Sequence, residues 1–243
     1  MSNHQSHHHP KIHALIVAAG KGSRFGAAVP KQYLRLADRT VLEESIERLN
    51  VDGIDDLTLV LASGDEYASE LDFEFSHPIR HAVGGAERWQ SVHSGVQAIR
   101  EHGGLDDDWV VIHDAARPCL PKVDLARLLD TLESTSHDGV ILATPVVDTL
   151  KLATNEQDII KTVDRSGLWQ AQTPQAFRLN KLEWVLSQIA KDNLMITDEA
   201  SGFEMLGLEV QIVQGSKLNM KLTYAEDLPL MELILQNFIK NEC

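Results

Sequence analysis

The run Ile12 to Lys31, I-H-A-L-I-V-A-A-G-K-G-S-R-F-G-A-A-V-P-K, constrains this chain most. An apolar, strand-like stretch runs straight into a loop holding Gly20, Gly22 and Gly26, then Arg24 and Pro30-Lys31. Glycines let a backbone approach an anion closely and turn its N–H groups toward it. Arg24 and Lys31 add positive charge that backbone dipoles alone do not supply. This reads as a phosphate-gripping loop at the carboxyl end of a first parallel strand. Two commoner glycine loops fail here. The dinucleotide fingerprint G-x-G-x-x-G has Phe25 in its third glycine position. The Walker A pattern also meets Phe25 where its second glycine belongs, and Ala27 follows Gly26.

Apolar β-rich runs recur along the chain with helical patterns between them. Strands are expected at Ile12–Ala18, Leu57–Ala62, Ile79–Val83, Trp109–His113, Gly139–Ala143 and Val210–Val213. Helices are expected at Val41–Leu49 with Thr40 as N-cap, after Ser63-Gly64-Asp65, and at Arg88–Arg100 with Val92, Val96 and Ile99 on one face. Further helices are expected at Val123–Leu132, Lys181–Ala190, Glu199–Leu206 and Tyr224–Ile239. Alternation of this kind implies one α/β domain, 11–243, built on a doubly wound, mostly parallel sheet. Its length of 243 residues also allows two small domains, but no internal repeat or low-complexity linker divides it. Val146–Gln175 breaks the alternation: L-K-L-A and I-I-K-T-V, separated by T-N-E-Q-D, read as an inserted β-hairpin arm over about 146–175. Such an arm folds back on its own domain or reaches a second subunit.

Composition narrows the function. At 43% hydrophobic and 24% charged, the chain is an ordinary soluble globular protein. No apolar run approaches a membrane span and no secretory signal precedes the first strand. Cys119 and Cys243 do not make a disulfide framework, which points to a reducing cytoplasm. A net charge of −14 argues against nonspecific binding to nucleic acid or anionic membrane. It leaves a nucleotide substrate open, because a small cleft can be basic and a divalent cation can neutralise phosphates. Residues 1–10, with His4, His7, His8 and His9, read as a disordered leader or cloning remnant.

Ligands of such sheets bind at the carboxyl ends of the strands. Beyond the glycine loop, those ends offer Gly84-Gly85-Ala86-Glu87-Arg88 with Ser91, and His113-Asp114-Ala115-Ala116-Arg117-Pro118. Later segments offer Asp148-Thr149, Asp164-Arg165, Thr173-Pro174, Thr197-Asp198 and Asn219-Met220-Lys221. Singly each has an ordinary reading: a turn at Gly84-Gly85, an N-cap at Asp114, a surface ion pair at Arg165. Their joint placement beside a phosphate loop is the stronger signal.

The segments A-A-G-x-G-x-R-F-G…P-K-Q-Y-L, G-G-x-E-R-x-x-S-V, V-I-H-D-A-A-R-P, P-V-x-D-T-L-K, V-D-R-x-G-L-W, Q-T-P-Q-A-F and I-T-D-E-A-S occur in order from Ala18 to Ser201, followed by Asn219-Met220-Lys221-Leu222-Thr223. Together they resemble the 2-C-methyl-D-erythritol 4-phosphate cytidylyltransferases of the non-mevalonate isoprenoid pathway. The resemblance implies a Rossmann-like nucleotidyltransferase sheet whose hairpin is a dimerisation arm. It implies CMP transfer from CTP to methylerythritol phosphate, with pyrophosphate release, Mg²⁺ and a homodimer with exchanged arms. It implies that Arg24 and Lys31 stabilise charge on the CTP phosphates. The backbone of Ala18, Ala19, Gly20 and Gly22 would hold base and phosphates, and Gly85, Ala86 and Ser91 the cytidine. Asp114, with Ala115, would sit near metal and phosphates. Thr149 and Arg165 on the arm would position the sugar phosphate, and Arg117, Thr173, Thr197 and Lys221 would complete that pocket; Arg165 and Lys221 join Arg24 and Lys31 as catalytic groups. Ala86 departs from the Asp of many relatives, and Met220 from a frequent Ile. Rival readings are a ribitol-5-phosphate cytidylyltransferase, a sugar-1-phosphate nucleotidyltransferase using UTP or dTTP, and a non-catalytic nucleotide-binding regulator. A phosphate monoester is already a nucleophile, so cations and backbone N–H groups suffice without a triad.

Overall fold

The structure, a computed structural model, describes residues 9–20 and 29–242. Most of the histidine-rich leader, together with Gly22 and Arg24, lies outside the described residues. In chain order the elements are β1 (Ile12–Val17), β2 (Arg35–Leu36), β3 (Arg39–Thr40), α1 (Val41–Leu49), β4 (Asp56–Leu61), β5 (Ile79–Val83), α2 (Arg88–Glu101) and β6 (Trp109–Asp114). There follow α3 (Lys122–Ser134), β7 (Gly139–Pro145), β8 (Leu150–Ala153), β9 (Ile159–Val163), β10 (Trp169–Arg178), α4 (Leu179–Asp192), α5 (Glu199–Met205), β11 (Val210–Gln214) and α6 (Asp227–Glu242).

Seven strands form the central sheet in the order β11-β7-β10-β6-β1-β4-β5. All neighbours are parallel except β10, which runs antiparallel to both β6 and β7. The pleat of β1 divides its apolar run between two faces. Ala14 and Ile16 join a core with α1 and α3, while Leu15 joins one with α2, α4 and α5. Helices therefore cover both sides, as the strand–helix alternation implies. A third cluster seats Met231, Ile234 and Leu235 of α6 against Leu36, Val41 and Cys119. Helix α1 begins with the expected cap: Glu43 N–H donates to Thr40 Oγ1 at 3.2 Å, and Thr40 N–H donates to Glu43 Oε2 at 2.6 Å. Among the described residues no helix is long and apolar enough to cross a membrane.

Two expectations need correction. No α-helix follows Ser63-Gly64-Asp65; there is only a 3₁₀ turn at Ala68–Glu70, with Gly64 left-handed at φ +72°. The stretch beyond, L-D-F-E-F-S-H-P, has no helical spacing, and Phe73 and Phe75 turn into the core instead. The arm boundary also shifts. The hairpin proper is β8–β9, a separate two-stranded sheet, whereas 169–178 is a strand of the main sheet. The chain leaves β7 at the sheet's carboxyl end, turns through the hairpin and re-enters at that same end. A strand that re-enters there has to run antiparallel. The hairpin is thereby fixed on the side that carries the glycine loop.

The opposite end of the sheet is closed by a largely buried cluster of four charged groups. His13 Nδ1 lies 2.9 Å from Asp56, its Nε2 lies 3.1 Å from Asp108, and Arg80 lies 2.6 Å from Asp56. Burial opposes the charge on His13, but its two carboxylate partners outweigh it and raise the pKa above the ordinary histidine value. A raised folded pKa gives stability that is fully present below about 6.5 and lost as pH rises through the folded value. His13→Gln should therefore destabilise most near pH 6, and the deficit should shrink steadily toward pH 9. Urea midpoints of wild type and variant across that range check this; a deficit that grows with pH would contradict it.

Candidate active site

The carboxyl ends of β1, β5 and β6 open into a cleft of about 540 Å³. Its walls are Val17–Gly20 after β1, the 3₁₀ turn holding Lys31 and Gln32, Gly85–Arg88 with Ser91, Asp114–Ala116, and Lys221 with Thr223. Each wall is tied to the next. Gln32 Nε2 donates to the Ala18 carbonyl at 2.7 Å, and Lys31 Nζ donates to the Leu222 carbonyl at 2.7 Å. Gly85 N–H donates to Ser91 Oγ at 3.1 Å. Gly84 lies so close to the first loop that a Cβ there would stand 2.3 Å from Ala19 Cβ, so only glycine lets β5 approach.

Asp114, 8% exposed, sits at the centre of the charges. Lys221 Nζ approaches it at 2.6 Å, Arg88 Nη2 at 3.0 Å and Arg117 Nε at 4.0 Å. Burial works to raise the carboxyl's pKa, but Arg88, Lys221 and Arg117 together hold it far below the usual carboxylate range. Arg88 also clamps both oxygens of Glu199, which is 1% exposed. Burial opposes the charged guanidinium, and the two carboxylates still raise its pKa.

Behind Asp114 a hydrogen-bonded layer fastens β10 to the Lys221 loop. Asp114 N–H donates to Thr173 Oγ1 at 3.0 Å, and Thr173 Oγ1 lies 3.0 Å from His113 Nδ1. Asn219 Nδ2 donates to the Thr173 carbonyl at 2.8 Å, Arg117 Nη1 to the Asn219 carbonyl at 2.6 Å, and Gln172 Nε2 to the Ser216 carbonyl at 2.9 Å. Burial lowers the pKa of His113 to about 4, so the ring is neutral at physiological pH.

The cleft thus gathers Ala18, Ala19, Gly20, Lys31, Gly85, Ala86, Ser91, Asp114, Ala115 and Lys221. Arg117 and Thr173 stand just behind it through their contacts with Asp114. Thr149 and Arg165 are exposed on the segments flanking the hairpin strands, and neither lines the cleft of its own chain. Thr197 is exposed beside the start of α5, its Oγ1 3.4 Å from Ser201 Oγ. Sequence reasoning gave no role to Arg88, Glu199, Gln32, His113 or Asn219. All five stand inside the quoted segments, Arg88 in G-G-x-E-R-x-x-S and Glu199 in I-T-D-E-A-S among them, which is the available hint.

A mostly parallel sheet carrying glycine-bearing loops, two lysines and a caged aspartate at its carboxyl edge defines an α/β nucleotidyltransferase. The chain belongs to the 2-C-methyl-D-erythritol 4-phosphate cytidylyltransferase family, which it matches over residues 12–237. A protein of that name from Psychrobacter arcticus is 46% identical over 93% of this chain and 92% of its own length. One from Acinetobacter baumannii is 43% identical over 93% of this chain and 94% of its own. A crystal structure of a 4-diphosphocytidyl-2C-methyl-D-erythritol synthase superposes with a TM-score of 0.81 at 38% identity, covering 93% of this chain and 99% of that one. The Francisella tularensis 2-C-methyl-D-erythritol 4-phosphate cytidylyltransferase does so with a TM-score of 0.79 at 31% identity, covering 92% and 99%.

The Arg88–Glu199 pair yields a stability prediction. Removing one member of a buried ion pair strands the other charge, at a cost of about 3–5 kcal/mol. Arg88→Met should lose that much in urea unfolding, and adding Glu199→Leu should recover most of it. A loss below about 1 kcal/mol, the scale of an exposed pair, would show that Glu199 is not stranded.

Proposed function

We propose that this protein transfers the cytidylyl group of CTP to the phosphate of 2-C-methyl-D-erythritol 4-phosphate, releasing pyrophosphate, in the non-mevalonate route to isoprenoid precursors. The observation that carries the reading is the cleft at the strand ends, with Lys31, Lys221 and Asp114 together on its walls. An oxygen of the acceptor phosphate attacks the α-phosphorus. The bond from that phosphorus to the bridging oxygen of the β-phosphate breaks, and the electron pair leaves with pyrophosphate. The nucleophile is already anionic, so no proton needs to be removed from it. The obstacle is bringing two polyanions together and stabilising charge on the α-phosphoryl and leaving groups.

Lys31 meets the triphosphate and the backbone N–H groups of Ala18–Gly20 cradle it; the resemblance would add Gly22 and Arg24, which lie outside the described residues. Gly85, Ala86 and Ser91 hold the cytidine. Lys221 faces the acceptor phosphate beside Asp114, and Arg117 adds positive charge from behind it. Mg²⁺ supplies neutralisation of the triphosphate charge. Among the described residues no cluster of three or more acidic, histidine or cysteine side chains would hold it alone. When bound, the metal would take most of its ligands from the nucleotide's phosphate oxygens, with Asp114, held by Lys221 and Arg88, nearby. Cys119, buried and free, fits a reducing cytoplasm.

The hairpin supports a homodimer with exchanged arms. A lone two-stranded sheet is marginal in water. Ile159 and Ile160 stay 67% and 58% exposed on β9, with Leu152 beside them on β8. Thr149 and Arg165 have no place in the cleft of their own chain. Docking the arm on a second copy covers the apolar side chains and delivers those two residues to the partner's acceptor site.

A pyrophosphate-release assay crossing four nucleotides with methylerythritol 4-phosphate, ribitol 5-phosphate and glucose 1-phosphate, with Mg²⁺ present, tests the reaction. The expected outcome is CTP with methylerythritol 4-phosphate; preference for UTP or for ribitol 5-phosphate rejects it. Mixed dimers test the arm. Lys31→Ala alone should lose about 10²–10³ in kcat, the scale for removing a preorganised donor. Arg165→Ala should raise KM for the sugar phosphate more than for CTP. Reassorting the two impaired variants, assayed at a sugar phosphate concentration too low for Arg165→Ala to turn over, should restore about a quarter of wild-type sites by two-fold arithmetic. Native mass spectrometry verifies exchange; mixed dimers with no recovered activity exclude arm exchange and leave the chemistry standing.

A further inference from the structure

The residue behind Asp114 carries an assignment of its own. His113 is fully buried, and its two ring nitrogens meet unlike partners. Nε2 lies 3.1 Å from the Arg117 carbonyl, which can only accept, so Nε2 carries the proton. In the neutral ring Nδ1 is then an acceptor, and Thr173 Oγ1 lies 3.0 Å from it. The Thr173 hydroxyl has one proton, and that proton points at His113. Its lone pairs face the Asp114 N–H, 3.0 Å away.

The backbone explains why a side chain is needed there. The β10–β6 ladder pairs Arg178 through Gln175 with Trp109 through Ile112 and stops. Continued, that register would set Thr173 opposite Asp114, but β10 bulges between Ala171 and Gln175, and Pro174 has no N–H. The Asp114 N–H is left without its ladder acceptor, and the Thr173 hydroxyl replaces it.

We infer that His113 is a positioning residue: by accepting the Thr173 hydroxyl proton on Nδ1 it fixes Thr173 Oγ1 as the acceptor for Asp114 N–H, and so holds Asp114 in register with Lys221. Thr173 then acts through Asp114 and has no proton left for the acceptor phosphate. This differs from the direct substrate contact that the family resemblance implies for Thr173. The kinetic arms below rest on the proposed activity, whereas the ring tautomer does not.

The first measurement is spectroscopic and uses the wild-type protein. Long-range ¹H–¹⁵N spectra of the histidine rings at neutral pH should show His113 with its proton on Nε2 and a bare Nδ1, assigned by the signal lost in His113→Asn. A proton on Nδ1 overturns the assignment whatever the enzyme's substrate. The kinetic test pairs Thr173→Val with His113→Leu. Each should lower kcat by about 10- to 100-fold, the scale on which groups that orient a functional side chain act. KM for methylerythritol 4-phosphate should stay where it was. The double variant should be no slower than the slower single, because both break one connection. Thr173→Ser restores the hydroxyl and His113→Asn restores an acceptor near Nδ1, so each should recover much of the lost kcat. If Thr173→Val instead raises KM for methylerythritol 4-phosphate while His113→Leu leaves it unchanged, Thr173 touches substrate and the inference fails. Should His113→Leu not fold, the ring spectra and the two Thr173 variants still decide. Absence of any cytidylyl transfer by wild type would sink the proposed reaction and leave the tautomer test intact.

Discussion

The buried carboxylate of Asp114 is the interaction on which the site depends. Taking a carboxylate out of water is costly unless cations and hydrogen bonds compensate. Here Lys221 and Arg88 lie within 3.0 Å and Arg117 within 4.0 Å. Glu199 in turn balances Arg88. Three cations against two carboxylates leave the cluster with one net positive charge before any ligand arrives. Arg88 and Arg117 are more enclosed than Lys221, whose side chain is 43% exposed against 29% and 12%. An incoming phosphate therefore competes with Asp114 for Lys221 first, while Arg88 keeps the carboxylate compensated. Asp114 in this view is less a reagent than the anchor that holds a lysine extended in the cleft.

Topology places that anchor. The hairpin's return strand enters between β6 and β7, and its bulge delivers Gln172 and Thr173 to the site side of the sheet. Gln175 carries the same tie further: its Nε2 donates to Asp198 Oδ2 at 2.8 Å and its Oε1 accepts from Ala200 N–H at 3.2 Å. Through that side chain the start of α5, and with it Glu199, is set against Arg88. One antiparallel strand thus links the arm, the acidic end of α5 and the carboxyl end of β6.

Much of this was legible in the sequence. The H-D-A-A-R-P strand end and the Thr40 N-cap each have a local signature in which residue type and spacing decide the structure. The strand W-Q-A-Q-T-P-Q-A-F-R did not. Its buried Gln172, Thr173 and Gln175 look like a loop to any reading that places polar residues outside. They are buried because other loops supply their hydrogen-bond partners, and those partners are distant in sequence. The Arg88–Glu199 contact is of the same kind, spanning 111 positions. The helix expected after Asp65 failed for a local reason: a start signal was present, but no apolar periodicity followed it. The hydrogen-bonding state of His113 needs three coordinates at once, namely the Arg117 carbonyl, Thr173 Oγ1 and the Asp114 N–H.

The chain's net charge of −14 opposes the approach of any polyphosphate, yet the Debye length at physiological salt is about 8 Å, so most of that charge is screened at the cleft. What remains is contact chemistry, and here two lysines share one support. Leu222 N–H donates to the Ala116 carbonyl at 2.8 Å, and the Leu222 carbonyl accepts from Lys31 Nζ at 2.7 Å. Its neighbour Lys221 reaches Asp114 at 2.6 Å. A single peptide segment therefore fixes a cation from the first loop and presents a second of its own. Displacing that segment moves both charges together. The spacing between Lys31 and Lys221 is consequently set by the backbone of Lys221-Leu222, and not by two independent side chains.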